Sequence, residues 1–283
     1  MQQPPANDTP TDFPLPKKQK VDRVRHVIAV SSAKGGVGKS TMSVNLAYAL
    51  KRLNYSVGLL DADVYGPSIP TMLGVNKRPR PDVMGRIKPV MAAEKMPLIS
   101  IGFMVKDEQP LVWRGPMLFQ VLQQFFHEVK WTDYNEMLDF LVIDLPPGTG
   151  DIQLSMAQQI EVDGAVIVTT PQDIALVDVK RGISMFNMVD VPILGVVENM
   201  SHFCCPHCGE KTDIFASGGA KRVVEGKDVP ILGEIPLDPD IRACGDNGEP
   251  IVMAEPDSEH SKSYMKIAEQ VAKSVMQDAK DVH

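Results

Sequence analysis

The chain has 283 residues, with 29 lysines and arginines against 36 aspartates and glutamates, which gives a formal net charge of −7. Apolar residues make up 43% and charged residues 23%, a composition typical of a soluble globular domain and not of a disordered or fibrous chain. No apolar run approaches the ~20 residues that cross a bilayer, and the acidic balance argues against general nucleic-acid binding.

Residues 1–23 form a predicted flexible tail, and residues 24–278 form a predicted single domain. The segment 1–16 is polar and proline-rich, contains no arginine and has no apolar core. It therefore lacks the features of a secretory signal and matches a transit peptide poorly. The sequence predicts a cytoplasmic protein without a membrane partner.

Short apolar segments of strand length alternate with segments that carry apolar residues at helical spacing. The predicted strands are residues 26–31, 57–60, 138–143, 165–169, 193–197 and 231–235. The predicted helices are residues 42–53, 117–129, 152–159, 175–188 and 261–277. This alternation is typical of an α/β fold with a doubly wound, mostly parallel sheet.

Two stretches interrupt the alternation and are predicted insertions. Residues 74–112 are rich in proline and glycine, and their apolar pieces at 87–91 and 98–103 favour a hairpin. Residues 201–215 contain three of the four cysteines. The last helix places its apolar side chains on one face, which predicts that it packs on the sheet.

A glycine-rich turn links the first predicted strand to the first predicted helix. Such a turn exposes successive backbone N–H groups and the positive end of the helix, which together bind phosphate oxygens. Lys39 would reach the β- and γ-phosphates of ATP, and the Ser40 hydroxyl would be a Mg²⁺ ligand. The predicted nucleotide-binding residues in this turn are Ala33, Lys34, Gly35, Gly36, Val37, Gly38, Lys39, Ser40 and Thr41.

The turn departs from the standard phosphate-loop pattern, because alanine stands at its first glycine position. It resembles the deviant Walker A loop of the MinD, ParA and nitrogenase-iron-protein class of P-loop NTPases. The resemblance implies that the extra lysine, Lys34, reaches across a dimer interface to the partner's nucleotide. Ala33 fits this loop if its φ angle is negative.

Two carboxylate motifs follow predicted strands: DADVYGPS begins at Asp61, and DLPPGTGD begins at Asp144. Carboxylates at the carboxyl ends of parallel strands face the ligand crevice of an open α/β sheet. We therefore predict that Asp144 holds Mg²⁺ through water, that Asp63 orients the attacking water, and that Asp61 supports the metal. The alternative for Asp61 is a capping role in the next segment. These parts suffice for ATP hydrolysis, which mainly requires positioning and charge neutralisation.

Two further residues are candidates for nucleotide contacts. The Gly148 N–H is predicted to donate to the γ-phosphate, as in a nucleotide-sensing switch. Asn199, just past the fifth predicted strand, resembles the adenine-binding asparagine of the same class, although asparagine is also a common turn residue. The catalytic candidates are Lys34, Lys39 and Asp63.

Cys205 and Cys208 form a C-x-x-C turn, a spacing that lets two thiolates share a metal. A closed site needs four ligands; a monomer offers two, whereas a two-fold dimer brings four cysteines together. Four thiolates suit either Zn²⁺ or a [4Fe–4S] cluster, and the residues alone favour zinc. Cys204 and Cys244 lie outside the C-x-x-C and are predicted not to be ligands.

The order of motifs along the chain indicates a family. The motifs are the phosphate loop, DADVYGPS, VWRGPM, DLPPGTGD, TPQDIALVD, ENMSHFCCPHCG and GEIPLDPDIR. From about residue 24 to residue 272, this series closely resembles the Mrp/ApbC family of iron–sulfur cluster carriers, related to the eukaryotic Nbp and Ind proteins. The resemblance implies an ATP-dependent homodimer that holds a labile [4Fe–4S] cluster on Cys205 and Cys208 of both subunits and delivers it to apoproteins.

Two other functions share the phosphate-site chemistry. One is a ParA- or MinD-like positioning ATPase whose dimer binds DNA or a membrane and whose cysteines form a structural zinc site. The other is a reductase like the nitrogenase iron protein, whose bridging cysteines are widely separated in its chain. The compact C-x-x-C and the acidic chain favour the carrier over both and predict no nucleic-acid partner.

Overall fold

The structure is a computed structural model that describes residues 18–104, 115–133 and 135–281. Most of the predicted tail, over residues 1–17, and the first three residues of the VWRGPM motif lie outside the described residues. The division into a tail and a single domain therefore stays a prediction. Of the helices in these ranges, none combines the length and the apolar character that crossing a bilayer requires.

The predicted strands and helices are present, and most of their ends differ from the prediction by only a few residues. The described strands are β1 (Val24–Ser31), β2 (Val57–Asp61), β3 (Arg80–Pro81), β4 (Ile87–Lys88), β5 (Val90–Met91), β6 (Pro97–Ser100), β7 (Leu138–Asp144), β8 (Gly164–Thr169), β9 (Ile193–Cys204), β10 (Lys211–Thr212) and β11 (Ile231–Leu237). The described α-helices are α1 (Lys39–Arg52), α2 (Ile69–Met72), α3 (Gly115–His127), α4 (Asp151–Gln159), α5 (Asp173–Met188), α6 (Gly219–Val224), α7 (Pro239–Asp246), α8 (Ile251–Ala254) and α9 (Glu259–Asp281).

The central sheet is mostly parallel, as predicted. Its parallel strands run in the order β6-β2-β7-β1-β8-β9-β11. β5 pairs antiparallel with β6 at one edge, and β10 pairs antiparallel with the end of β9. The β2–β7 register places Asp61 beside Asp144, so both carboxylates lie at the carboxyl edge of the sheet.

Helices cover both faces of the sheet, which makes the fold doubly wound. Alternate residues of β1 enter two separate cores, because successive strand side chains point to opposite faces. Ile28 and Val30 pack in the core formed with α1, α8 and α9, while Val27 and Ala29 pack in the core formed with α3, α4 and α5. The apolar face of α9 is buried in the first core, and its Tyr264 side chain is 1% exposed.

The hairpin predicted between residues 87 and 103 is present, but it is not simply an insertion. Val90 of β5 pairs with Leu98 of β6, and β6 also pairs in parallel with β2, so β6 is a strand of the central sheet. A separate small hairpin, β3–β4, lies outside this sheet. The short apolar run of β6 does not distinguish a hairpin strand from a core strand, and only its burial against β2 decides between them.

The fifth predicted strand is longer than its apolar pattern indicates. β9 continues past Val197 to Cys204, so Asn199 lies inside the strand and not just past it. The reason is β11, which pairs with this polar part of β9 and satisfies its backbone. The strand that carries Asn199 therefore also leads directly to the cysteine turn.

Candidate functional site

The glycine-rich turn lies between the carboxyl end of β1 and the first residue of α1. Gly38 directly precedes Lys39 and has a φ angle of 83°, in the left-handed region that favours glycine. A Cβ atom at Gly38 would lie 2.1 Å from the side-chain nitrogen of Asn199, so a larger residue does not fit. Ala33 is not among the residues of positive φ, which meets the requirement of the loop. The backbone thus has the form of a phosphate loop.

A cavity of about 370 Å³ lies in front of this turn. Its lining residues are Ser32, Gly35, Gly36, Gly38, Lys39, Ser40, Thr41, Asp63, Tyr65, Gly66, Ser68, Met72 and Pro147. A second cavity, of about 450 Å³, shares Gly38, Thr41, Ser68 and Met72 with the first and extends to Asn199. The two cavities adjoin each other at these four residues, and together they are called the crevice below.

Lys39 and two aspartates form a buried charge cluster in this crevice. The Lys39 Nζ atom lies 2.8 Å from Asp144 Oδ2 and 3.2 Å from Asp63 Oδ2. The Lys39 side chain is only 5% exposed, and that of Asp144 is fully buried. Because buried charges lose the solvation of water, removal of one member would leave the others without a compensating charge. The cluster brings together three residues that the sequence predicts for this site.

Two serines of α1 orient the Asp144 carboxylate. The Ser40 hydroxyl donates to Oδ2 and the Ser43 hydroxyl donates to Oδ1, each at 2.6 Å. Sequence reasoning identified Ser40 but missed Ser43. The available signal was its spacing, because residues three apart lie on the same face of a helix.

Replacing Ser43 with alanine is expected to lower the free energy of unfolding by ~1–3 kcal/mol, because a fully buried carboxylate loses one of its donors. Urea unfolding followed by circular dichroism measures the change. Ser184→Ala is the matched control, since the Ser184 hydroxyl is exposed on α5 and donates only to the Lys180 carbonyl. Equal stability losses in the two variants would contradict the assigned contact.

Asp61 is fully buried and is held by donors from three segments. The Ser100 hydroxyl donates to its Oδ2 at 2.8 Å, and the N–H groups of Asp63 and Ile69 donate at 3.2 and 3.4 Å. Burial raises the pKa of Asp61 to about 7, and the nearby Asp144 carboxylate adds to the rise. The contacts to Asp63 and to the first residue of α2 fit the capping alternative. Ser100 carries no sequence signal for this contact, because it is simply the last residue of the short strand β6.

Asn199 and Gly148 both contact the phosphate loop through its carbonyl groups. The Asn199 side-chain nitrogen donates to the Val37 carbonyl at 2.8 Å. The Gly148 N–H donates to the Ser32 carbonyl at 2.9 Å. The Gly148 N–H therefore already has an acceptor in this conformation, and its contact with the γ-phosphate stays a prediction.

Lys34 has a different environment from Lys39. Its side chain is exposed, and its carbonyl accepts a hydrogen bond from the Ser32 hydroxyl at 2.9 Å. Within the described part of the chain, no carboxylate lies within ion-pair distance of its ammonium group. The predicted contact of Lys34 with the nucleotide of a second copy of the chain stays a prediction.

The cysteine turn is the tip of the hairpin between β9 and β10. The Cys205 N–H donates to the Glu210 carbonyl at 2.9 Å, and the Gly209 N–H donates to the Cys205 carbonyl at 2.8 Å. The N–H groups of Cys208 and His207, followed by the Cys208 thiol, hydrogen-bond the Cys205 sulfur and hold its pKa below the usual value. Among the described residues, no group of three or more histidine, cysteine, aspartate or glutamate side chains could hold a metal ion, and the ligand role of Cys205 and Cys208 stays a prediction.

The other two cysteines are placed differently. Cys204 is the last residue of β9, and its thiol donates to the Gly209 carbonyl at 3.5 Å. Cys244 lies on α7, packed against the first core, and burial raises the pKa of its thiol. Neither placement brings its sulfur into the C-x-x-C pair.

At neutral pH, Cys205 of the metal-free chain is expected to react with iodoacetamide faster than Cys244. The reason is that only the thiolate attacks, and the two pKa shifts have opposite directions. Peptide mass spectrometry after timed quenching gives both rates. In guanidinium chloride the two rates should converge, and faster labelling of Cys244 in the folded chain would be inconsistent with the described turn.

The fold and the phosphate loop define the class of protein, a P-loop NTPase of the MinD/ParA type. A nucleotide-binding protein from Archaeoglobus fulgidus, solved in complex with ADP, matches with a TM-score of 0.73 at 35% identity, over 85% of this chain and 92% of that one. The cell division ATPase MinD from Pyrococcus furiosus matches with a TM-score of 0.63 at 26% identity, over 88% of this chain and 98% of that one.

Sequence comparison identifies the family. The model described as "ParA: NUBPL iron-transfer P-loop NTPase" matches residues 23–272. The iron-sulfur cluster carrier protein of Aquifex aeolicus is 50% identical over 269 residues, which are 94% of this chain and 72% of that protein. The iron-sulfur cluster transfer protein NUBPL of Mus musculus is 47% identical over 261 residues, which are 92% of this chain and 80% of that protein. The chain belongs to this family of iron-transfer P-loop NTPases, as its motifs indicate.

Proposed function

We propose that the chain is an ATP-hydrolysing carrier, in which two copies hold a [4Fe–4S] cluster between their cysteine turns and pass it to apoproteins. The observation that carries this proposal is the course of β9. This strand contacts the phosphate loop through Asn199 and ends at the exposed cysteine turn. A nucleotide site and a thiol pair on one strand suit a protein whose cargo binding responds to nucleotide.

The charge cluster supports a hydrolytic site. Lys39 neutralises the β- and γ-phosphates of ATP, and the two aspartates that pair with it keep its ammonium group in the crevice. Asp63 orients the attacking water. Asp61, at the end of β2 beside Asp144 of β7, supports the metal. Phosphoryl transfer needs little beyond such positioning and charge neutralisation.

Ser40 and Asp144 fit a Mg²⁺ ion. Hydroxyl and carboxylate oxygens are the hard ligands that Mg²⁺ prefers. The Ser40 hydroxyl lines the cavity and lies 2.6 Å from the buried Asp144 carboxylate. When bound, Mg²⁺ supplies positive charge beside the phosphates. The remaining loop residues donate backbone N–H groups to phosphate oxygens, and Asn199 contributes to the adenine end of the crevice. The Gly148 N–H joins the phosphate contacts only if it leaves the Ser32 carbonyl.

Lys34 completes the site of the partner subunit in the proposed dimer. Lys34→Ala and Asp63→Asn dimers are each expected to hydrolyse ATP slowly, because each lacks one group at both sites. After subunit exchange, a mixed dimer has one site with an intact aspartate and an intact partner lysine. We expect the mixture to hydrolyse ATP faster than either variant alone.

Differently labelled chains show that exchange has taken place in this experiment. A chain that carries both substitutions is the matched control. Its dimers lack both groups at both sites, so the same exchange treatment should leave its rate of hydrolysis unchanged. If the mixture is no faster than its parents after proven exchange, Lys34 does not act across the interface.

The cluster proposal has a direct test in anaerobic reconstitution of the full chain with iron and sulfide. We expect a brown dimer that absorbs broadly near ~400 nm and contains about four iron and four sulfide per dimer. The same preparation is then mixed with an apoprotein that gains activity only with a [4Fe–4S] cluster. Absence of sulfide together with tightly bound zinc would contradict the carrier and support the positioning ATPase with a structural zinc site.

The proposed partners are a second copy of the chain and apo iron–sulfur proteins, with neither a nucleic acid nor a membrane surface among them. The proposed compartment is the cytoplasm, and fractionation of cells that produce the tagged chain tests it. Co-purification with membranes or nucleic acid at physiological salt would count against this assignment.

A further inference from the structure

The turn over residues 205–208 presents two thiols in one tight loop. Its ends are closed by the Cys205–Gly209 and Cys205–Glu210 backbone hydrogen bonds, and β9 and β10 pair immediately outside it. The first and fourth residues of a turn have Cα atoms within ~7 Å of each other. A disulfide requires a Cα separation of about 4.4–6.8 Å, so this backbone needs little or no change to accept one.

Both thiols of the turn are accessible from solution. Cys208 is exposed and Cys205 is half-buried, so a small molecule can reach the pair.

The neighbouring cysteines are excluded from this pair by their placement. Cys204 precedes Cys205 at the end of a strand, where successive side chains point to opposite faces. Its thiol is directed to the Gly209 carbonyl. Cys244 packs against the core on α7. The geometry therefore singles out one partner for each thiol of the turn.

We propose that the cluster-free turn is a thiol–disulfide exchange site that reacts with small-molecule disulfides of the glutathione type. The Cys205 thiolate attacks one sulfur of the small disulfide, which forms a mixed disulfide and releases one small thiolate. Cys208 then loses its proton to solvent and attacks the Cys205 sulfur, which releases the second small thiolate. Two electrons pass from the protein thiols to the small disulfide, and the products are one internal disulfide and two small thiols.

The internal disulfide has a consequence for the cargo. Thiolates are the ligands of iron–sulfur clusters, and a disulfide leaves neither Cys205 nor Cys208 as a thiolate. The oxidised chain therefore cannot load a cluster. The disulfide does not change the residues of the nucleotide site, which lies at the phosphate loop beside Asn199. This consequence rests on the proposed function, whereas the exchange chemistry does not.

The exchange site is tested by incubating the metal-free full chain with oxidised glutathione under anaerobic conditions. We expect a chain mass lower by two hydrogen atoms, with the disulfide mapped to Cys205 and Cys208. Cys208→Ser should retain glutathione on Cys205, because no second thiol is present to release it. Cys204→Ser and Cys244→Ser are the matched controls and should form the internal disulfide as the wild-type chain does. A disulfide that includes Cys204, a bond between two chains, or glutathione retained on the wild-type chain would overturn the proposal.

Iron loading separates this inference from the proposed function. The oxidised chain should take up no iron and sulfide until dithiothreitol is added, whereas the reduced chain should load fully. Equal loading of the oxidised chain would refute the block on loading. A reduced chain that never loads iron would refute the proposed function, and the mass measurement would still decide the exchange site by itself.

Discussion

Replacing Lys39 with alanine is expected to lower the rate of ATP hydrolysis by about 100-fold or more, since the site acts mainly through preorganised charge. The substitution removes the cation that pairs with Asp144 and Asp63 inside the crevice. Two buried carboxylates then remain without a counter-charge, which also opposes the approach of phosphate groups. Steady-state phosphate release with saturating Mg²⁺ and ATP measures the loss.

The same variant separates the two chemistries of the chain. Cys205 and Cys208 lie on the β9–β10 hairpin and not at the charge cluster, so iron and sulfide per dimer should stay near the wild-type value while cluster transfer fails. Lys51→Ala is the matched control, because Lys51 lies on α1 near its end, away from the phosphate loop. Circular dichroism confirms that the variant is folded. Hydrolysis at the wild-type rate would refute the nucleotide assignment of Lys39.

Replacing either Cys205 or Cys208 with alanine is expected to abolish stable cluster binding. Each substitution removes two of the four thiolates that a two-fold dimer offers, so bound iron should fall at least about tenfold below the wild-type value. Iron and sulfide per dimer after anaerobic reconstitution give the result. Cys204→Ala and Cys244→Ala are the controls, and both should retain the cluster because neither sulfur lies in the C-x-x-C pair.

Cluster affinity and cluster transfer, measured with and without ATP, add a second test to the cysteine variants. β9 connects Asn199 to the turn, and in the proposed dimer we expect movement of the phosphate loop on binding ATP to change the distances between the sulfurs of the two subunits. Cluster affinity should then differ between the ATP-bound and nucleotide-free states, and cluster occupancy should alter ATP affinity by the same factor. Full iron retention in Cys205→Ala would refute the bridging site, whereas transfer that is indifferent to ATP would refute only the coupling.

The sequence by itself determines the elements whose signals are local. The strand, glycine-rich turn and helix around Lys39 are contiguous, and the carboxylates Asp61 and Asp144 each end an apolar strand. Parallel strands bring their carboxyl ends to one edge, so the meeting of these residues follows from topology alone. The C-x-x-C of Cys205 and Cys208 is equally local, because four residues suffice to bring its two thiols together.

Only the tertiary structure decided the contacts between distant segments. Ser43 contacts the Asp144 carboxylate across 101 positions of the chain, and its spacing from Ser40 indicates only the helix face on which it lies. Ser100 contacts the Asp61 carboxylate across 39 positions, and nothing in its own neighbourhood indicates this contact. The burial of β6 against β2 and the extension of β9 beside β11 likewise depend on a neighbouring strand. The physical reason is that a donor can bond an acceptor only when the two atoms lie close together. Residues so far apart in the chain come close only after the cores have formed.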